Sequence, residues 1–166
     1  MQLSDINTLP VESVREELTR CCGSSTWVKT MLANRPFSSE AQLYHKAEKI
    51  WNDCQPADWL EAFGHHPRIG EKNLKEKFGS TQQWASQEQK GVAVATEQIL
   101  NDLIALNRQY EKQFGYIFIV CATGKSAGEM LELLEARMKN KADVELKIAM
   151  AEQNKITKLR LQKLLS

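Results

Sequence analysis

Several things are missing from this sequence, and each absence excludes a class of protein. No apolar run approaches the roughly 20 residues that span a bilayer, and Met1-Gln2-Leu3-Ser4-Asp5 lacks the basic and apolar regions of a secretory signal. The C-terminal Leu164-Leu165-Ser166 differs from the Ser-Lys-Leu address of peroxisomal proteins, so a cytoplasmic location is the expectation. The four cysteines, at 21, 22, 54 and 121, show no Cys-x-x-Cys spacing and read as packed free thiols in a reducing compartment. Charge of one sign is also missing. A net +1 leaves nucleic-acid binding to the Lys-rich 72–77 and 155–163 stretches, and acids interleave in the first, so no nucleic-acid partner is expected. The histidines at 45, 65 and 66 form no i, i+4 pair and no zinc spacing with the cysteines, so no metal site is expected. Thr123-Gly124-Lys125-Ser126 resembles the tail of a phosphate loop, but Ile119 stands where that loop needs glycine. There is no repeat, low-complexity tract or linker, and 166 residues suit one domain, 1–166.

What is present is helical periodicity, punctuated by only four prolines and eight glycines. Asn7 or Thr8 caps a helix from Pro10, with Val11, Val14, Leu18 and Cys21 on one face and Gly23 at its end. Ser24 or Ser25 opens a second, carrying Trp27, Val28, Met31 and Leu32 and closed by Arg35-Pro36. Ser39 and Gln42 form a capping box for a third, with Leu43, Ala47, Ile50 and Trp51 inward. Pro56 and Asp58 start a short fourth, bearing Trp59, Leu60 and Phe63. A short helix over Asn73–Phe78 and a loop over 80–83 follow. Ser86 and Gln89 form a second capping box, opening a long helix to Phe114 that Gly115 stops. Ser126 and Glu129 cap another, and Asp143 caps a last helix to about Leu165. Tyr116 to Ala122 is the one strand-like segment, and a lone strand has no sheet to join, so it reads as buried and extended. The expected fold is an all-α, single-domain helical bundle with one extended segment near 116–122.

The chain turns around Phe63-Gly64-His65-His66-Pro67-Arg68-Ile69-Gly70. Pro67 fixes its own φ and pushes His66 out of the helical region, and the glycines at 64 and 70 bracket the bend. His66 therefore reads as an imidazole aimed by a rigid corner, with an unperturbed pKa close to neutrality. Glu88 sits in the first turn of the long helix. There it favours the helix dipole and, if that N-terminus faces the corner, supplies a carboxylate beside the imidazole. In the last helix Ile156 and Leu159 read as core positions. Arg160, four residues after Ile156, then lies on the apolar side and needs a partner. That partner is a bidentate carboxylate ligand or an internal salt bridge, for instance to Glu88.

Four motifs in order carry a resemblance: Phe-x-x-His-Pro-Arg-Ile-Gly from Phe63, Trp-x-x-x-Glu-Gln from Trp84, Phe-Gly-Tyr-x-Phe-Ile-Val-Cys-Ala from Phe114, and Lys-Ile-Thr-Lys-Leu-Arg-Leu-x-x-Leu from Lys155. From Leu3 to Leu165 the chain resembles the OHCU decarboxylases (2-oxo-4-hydroxy-4-carboxy-5-ureidoimidazoline decarboxylases) of purine breakdown. The resemblance implies an all-helical homodimer that converts OHCU to (S)-allantoin and CO2 without a cofactor. It implies His66 as proton donor, with Glu88 and Arg160 also catalytic. It implies substrate contacts from Pro67, Gln89 and the segment Phe118, Ile119, Val120, Cys121 and Ala122. Ala85 stands where the family often has serine, and Ser86 one place later makes the cap.

Two readings of function follow. In one the chain is a carboxy-lyase acting on a small ureidoimidazoline. In the other it is a helical interaction module in which His66-Pro67 is a structural turn. An enzyme should gather His66, Glu88 and Arg160 on a concave pocket. A module should expose an apolar patch instead.

Overall fold

The computed structural model describes residues 1–67 and 87–166, and over 87–95 it describes the backbone alone. Eight helices and no strand occur among the described residues: α1 (Leu3–Thr8), α2 (Val11–Cys21), α3 (Ser25–Ala33), α4 (Glu40–Asp53), α5 (Pro56–Gly64), α6 (Gln87–Phe114), α7 (Ala127–Met138) and α8 (Ala142–Leu165). The fold is all-α, as its periodicity predicts. The helix expected over Asn73–Phe78, the loop 80–83 and the cap at Ser86 lie outside the described residues.

The chain divides into two compact units. One comprises Met1–His66, Ile119–Cys121 and Lys147–Ser166, and holds α1 to α5 and most of α8. Its core includes Ile6, Leu18, Trp27, Met31, Leu43, Trp51, Phe63 and Leu161. A buried indole N–H must find an acceptor, and three of them do so across helices. Trp27 Nε1 donates to Ala47 O at 3.0 Å, Trp51 Nε1 to Met150 O at 2.8 Å, and Trp59 Nε1 to Trp51 O at 3.0 Å. These bonds tie α3 to α4, α4 to α8, and α5 to α4.

Side-chain caps set the helix starts. Ser24 Oγ accepts from Trp27 N at 3.2 Å and Ser39 Oγ from Gln42 N at 3.1 Å. The Gln42 side chain reaches Ser38 N at 2.7 Å, one residue earlier than a capping box requires. The N-terminus departs from expectation, because Leu3–Thr8 is a helix of its own and Pro10 occupies the N-cap of α2. Asn7 is not a cap. Its amide pairs with the backbone of Phe37, donating to O at 2.9 Å and accepting from N at 2.8 Å. Val11 and Leu60, expected on buried faces, are 44% and 43% exposed. Gly64 is helical, the last residue of α5, so the bend falls after it.

The other unit comprises Pro67–Phe118 and Ala122–Leu146. Within it Gly115, at φ 85°, ends α6 and donates its N–H to Glu111 O at 2.8 Å. A fully buried carboxylate, Glu145, accepts from Tyr110 Oη at 2.5 Å, Arg137 Nε at 2.7 Å and Asn140 Nδ2 at 3.0 Å. The Arg137 guanidinium also lies 4.5 Å from the Phe118 ring centroid. Burial, then the bond to Glu145, holds the Tyr110 phenol far above its ordinary range. Removing one member of such a pair costs about 3–5 kcal/mol, because the other charge stays buried alone. Residues 116–122 run without regular structure, with Phe118, Ile119 and Cys121 buried. A turn follows, with Gly124 at φ 76° and Lys125 N donating to Ala122 O at 3.1 Å. Ser126 then caps α7, which places Thr123–Ser126 in a turn and cap rather than a phosphate loop.

Candidate active site

Helix α5 delivers the two histidines. Its inner face is anchored by Ala62 and Phe63, at 1% and 0% exposure. It closes with His65 N donating to Ala62 O and His66 N to Phe63 O, both at 3.2 Å. Two carboxylates of α5 grip the start of α3. Glu61 Oε1 accepts from Ser25 N at 2.6 Å, and Asp58 Oδ1 accepts from Thr26 Oγ1 at 2.8 Å. That grip sets the turn between α2 and α3 against the corner. A Cβ at Gly23 would lie 2.3 Å from His65 Cγ, so only glycine lets the imidazole pack so close.

His66 is half-buried, and its Nε2 is hydrogen-bonded to Gln153 Oε1. Gln153 is fully buried and donates its own amide N–H to Thr157 Oγ1 at 3.0 Å. Thr157 in turn bonds the Cys22 thiol. With the amide nitrogen committed to Thr157, its oxygen faces the imidazole, and His66 is the donor. The neutral ring is then the Nε2–H tautomer, with its lone pair on Nδ1. Burial holds the His66 pKa below the ordinary histidine value. The bond to Gln153 acts the other way, and the neighbouring Arg160 and His65 reinforce the lowering.

Arg160 is exposed rather than inward, as is Leu159 at 41%. The buried stripe of α8 runs through Ala149, Gln153, Thr157, Leu161 and Leu165. Arg160 flanks that stripe, and its Nη1 donates to Arg20 O at 3.2 Å and Cys21 O at 3.5 Å. Those carbonyls lie at the C-terminus of α2, where helical acceptors lack intrahelical donors and cations are favoured. A cleft of about 300 Å³ is lined by Thr19, Arg20, Gly23, Ala62, His65, His66 and Arg160. Among the described residues that line it there is no carboxylate, so it suits an anion. A second cleft of about 320 Å³ has Tyr44, His45, Thr157 and Lys158 among its lining residues.

The structure thus brings His66 and Arg160 to one cleft. Pro67 is exposed next to His66. Ile119, Val120 and Cys121 belong to the same compact unit but are not among the cleft's lining residues. Ala85 lies outside the described residues, as do the side chains of Glu88 and Gln89, whose backbone starts α6. Gly23, Gln153 and Thr157 were not anticipated. Polar residues at steps of four along α8 were the available signal for the last two.

An all-α chain with an imidazole and a guanidinium on one cationic cleft has the equipment for acid–base chemistry on an anion. The family model for OHCU decarboxylase matches residues 7–162, and the chain belongs to that family. It is 39% identical over 162 residues to the uric acid degradation bifunctional protein TTL of Arabidopsis thaliana, covering 95% of this chain and 49% of that protein. It is 30% identical over 167 residues to the uric acid degradation bifunctional protein of Bacillus sp. strain TB-90, covering 99% of this chain and 32% of that one. The chain therefore spans about half the length of the first relative and about a third of the second. Its fold is similar to a crystal structure of OHCU decarboxylase in the presence of (S)-allantoin. That match has a TM-score of 0.70 and 36% identity, and covers 90% of this chain and 97% of that one.

Proposed function

We propose that this chain decarboxylates OHCU to (S)-allantoin without a cofactor. The observation that carries the reading is the cleft holding both His66 and Arg160, in a chain of this family. Arg160 holds the anionic substrate through its planar fork. The substrate's carboxylate turns out of the ring plane, so the breaking C–C bond overlaps the adjacent C=N. CO2 leaves, and the electron pair enters the ring, which takes up a proton. The resulting enol gives up its hydroxyl proton and gains one at ring carbon, which fixes the handedness. His66 exchanges the proton with the ring, a role typically worth ~10²–10⁴-fold in rate.

Glu88 is the proposed partner that tunes this exchange, while Pro67, Ala85, Gln89 and 118–122 shape the remainder of the substrate site. The chain acts as a homodimer in the cytoplasm and takes no nucleic acid. Among the described residues no helix is long and apolar enough to cross a membrane.

The test is polarimetry with freshly made OHCU. The expected result is faster decay with one-handed (S)-allantoin as product, persisting after exhaustive chelation. Decay at the spontaneous rate to a racemate would overturn the proposal.

A further inference from the structure

We propose that Gln153 is a positioning residue for His66, holding the ring in its Nε2–H tautomer so that Nδ1 is the nitrogen that exchanges the proton. This rests on the functional reading above. Gln153 occupies the apolar stripe of α8 at 0% exposure, where a polar amide is costly unless both its ends are paired. Both are: the oxygen by His66 and the nitrogen by Thr157, itself 3% exposed. Spacing of i, i+4 on one helix brings Gln153 and Thr157 together, and because the Thr157 hydroxyl donates to the Cys22 sulfur, its oxygen is left to accept from the Gln153 amide nitrogen.

An amide does not titrate near neutrality, so it orients the ring without charging it. Among the described residues that line its cleft, the charged and titratable groups are His65 at the corner, Arg160 on α8 and Arg20 at the end of α2, with Thr19 neutral beside them. Cys21 and Cys22, at the end of α2, are thiols pushed up by burial to about 11 and about 12, hence neutral. A carboxylate in place of Gln153 would therefore be the first negative charge among these described neighbours.

The experiment reads His66 by long-range 1H–15N correlation in the full chain, assigned by the loss of its signals in His66→Asn. Wild type is expected to show the Nε2–H tautomer alone at neutral pH, a measurement that needs no Gln153 variant and no substrate. Gln153→Glu is expected to raise the His66 titration midpoint by about one unit or more and to move the acid limb of the kcat/KM profile by the same amount. Gln153→Leu, close in volume, is expected to give mixed tautomers and a fall in kcat of about tenfold or more at little change in KM. An Nδ1–H wild-type ring, or a midpoint unmoved in Gln153→Glu, overturns the inference. If tautomer and midpoint respond while wild type leaves OHCU decay unchanged, the orientation stands and the functional reading fails. If OHCU turnover is strong while neither responds, the reverse holds.

Discussion

His65 and His66 are adjacent, yet they meet different partners: one packs on the bare backbone of Gly23, the other bonds a buried amide. If His66 delivers the proton, His66→Asn cuts turnover by about 10²-fold or more, and its product drifts toward racemic. His65→Asn stays within a few-fold and keeps one enantiomer. Chiral chromatography of the allantoin checks both, and the reverse pattern would move the assignment by one residue. Arg160→Lys keeps the charge but loses the planar fork. It also loses the geometry that reaches two carbonyls of α2 at once. The expected fall in kcat/KM is about 10–100-fold, equivalent to one charged hydrogen bond of roughly 1.5–3 kcal/mol. The circular dichroism spectrum should not change. Near-wild-type kinetics would leave Arg160 only its place at the helix end.

Two glycines at the level of helices and turns make an opposed pair. Gly64 ends α5, and a Cβ there meets nothing within 4 Å. Gly64→Ala is expected to stabilise by about 0.4–1 kcal/mol, by narrowing the unfolded ensemble. At Gly23 the added methyl would fall within 2.7 Å of three His65 atoms, so Gly23→Ala must push the ring away. Lower thermal stability and lower turnover are expected together. Unchanged values for Gly23→Ala would mean that His65 swings aside freely. The legibility of these elements in sequence was uneven. Helices α3, α4, α5 and α7 were readable because Ser24, Ser39, Pro56 and Ser126 mark their starts with local chemistry. Helix α1 was not, because Gln2 is a weak cap signal and six residues give periodicity little to work with. Along α8, a search for apolar repeats chose Ile156 and Leu159. The buried stripe instead alternates apolar Ala149 and Leu161 with polar Gln153 and Thr157. Of the two residues that share the cleft, His66 was singled out by its proline, whereas Arg160 was singled out as an inward-facing residue and is instead exposed beside the stripe. Gln153 was hidden because hydrophobic periodicity cannot register a buried polar pair.

For the molecule as a whole, His66 links folding to pH. Its folded pKa lies below the ordinary value of about 6.5, chiefly through burial. The unfolded chain then binds more protons between the two values, so stability rises with pH across that window. Above the unfolded pKa the effect vanishes. As pH falls through it toward the folded pKa, stability is progressively lost. Melting temperatures measured from pH 7.5 down to 5 should fall in wild type and fall less steeply in His66→Gln. Equal slopes would assign the acid sensitivity elsewhere.

The four cysteines give the chain a clock for its own opening. All are buried, and burial lifts Cys21, Cys22 and Cys54 to about 11, 12 and 11. Alkylating reagents attack thiolate, which is then scarce at neutral pH. In the intact fold Cys21, Cys22 and Cys54 are protected both by burial and by ionisation. Maleimide or iodoacetamide should therefore count excursions to open states rather than surface encounters. Labelling at Cys21, beside the carbonyl that Arg160 holds, would time the release of that helix end. An anion seated in the cleft should slow this labelling in proportion to its occupancy.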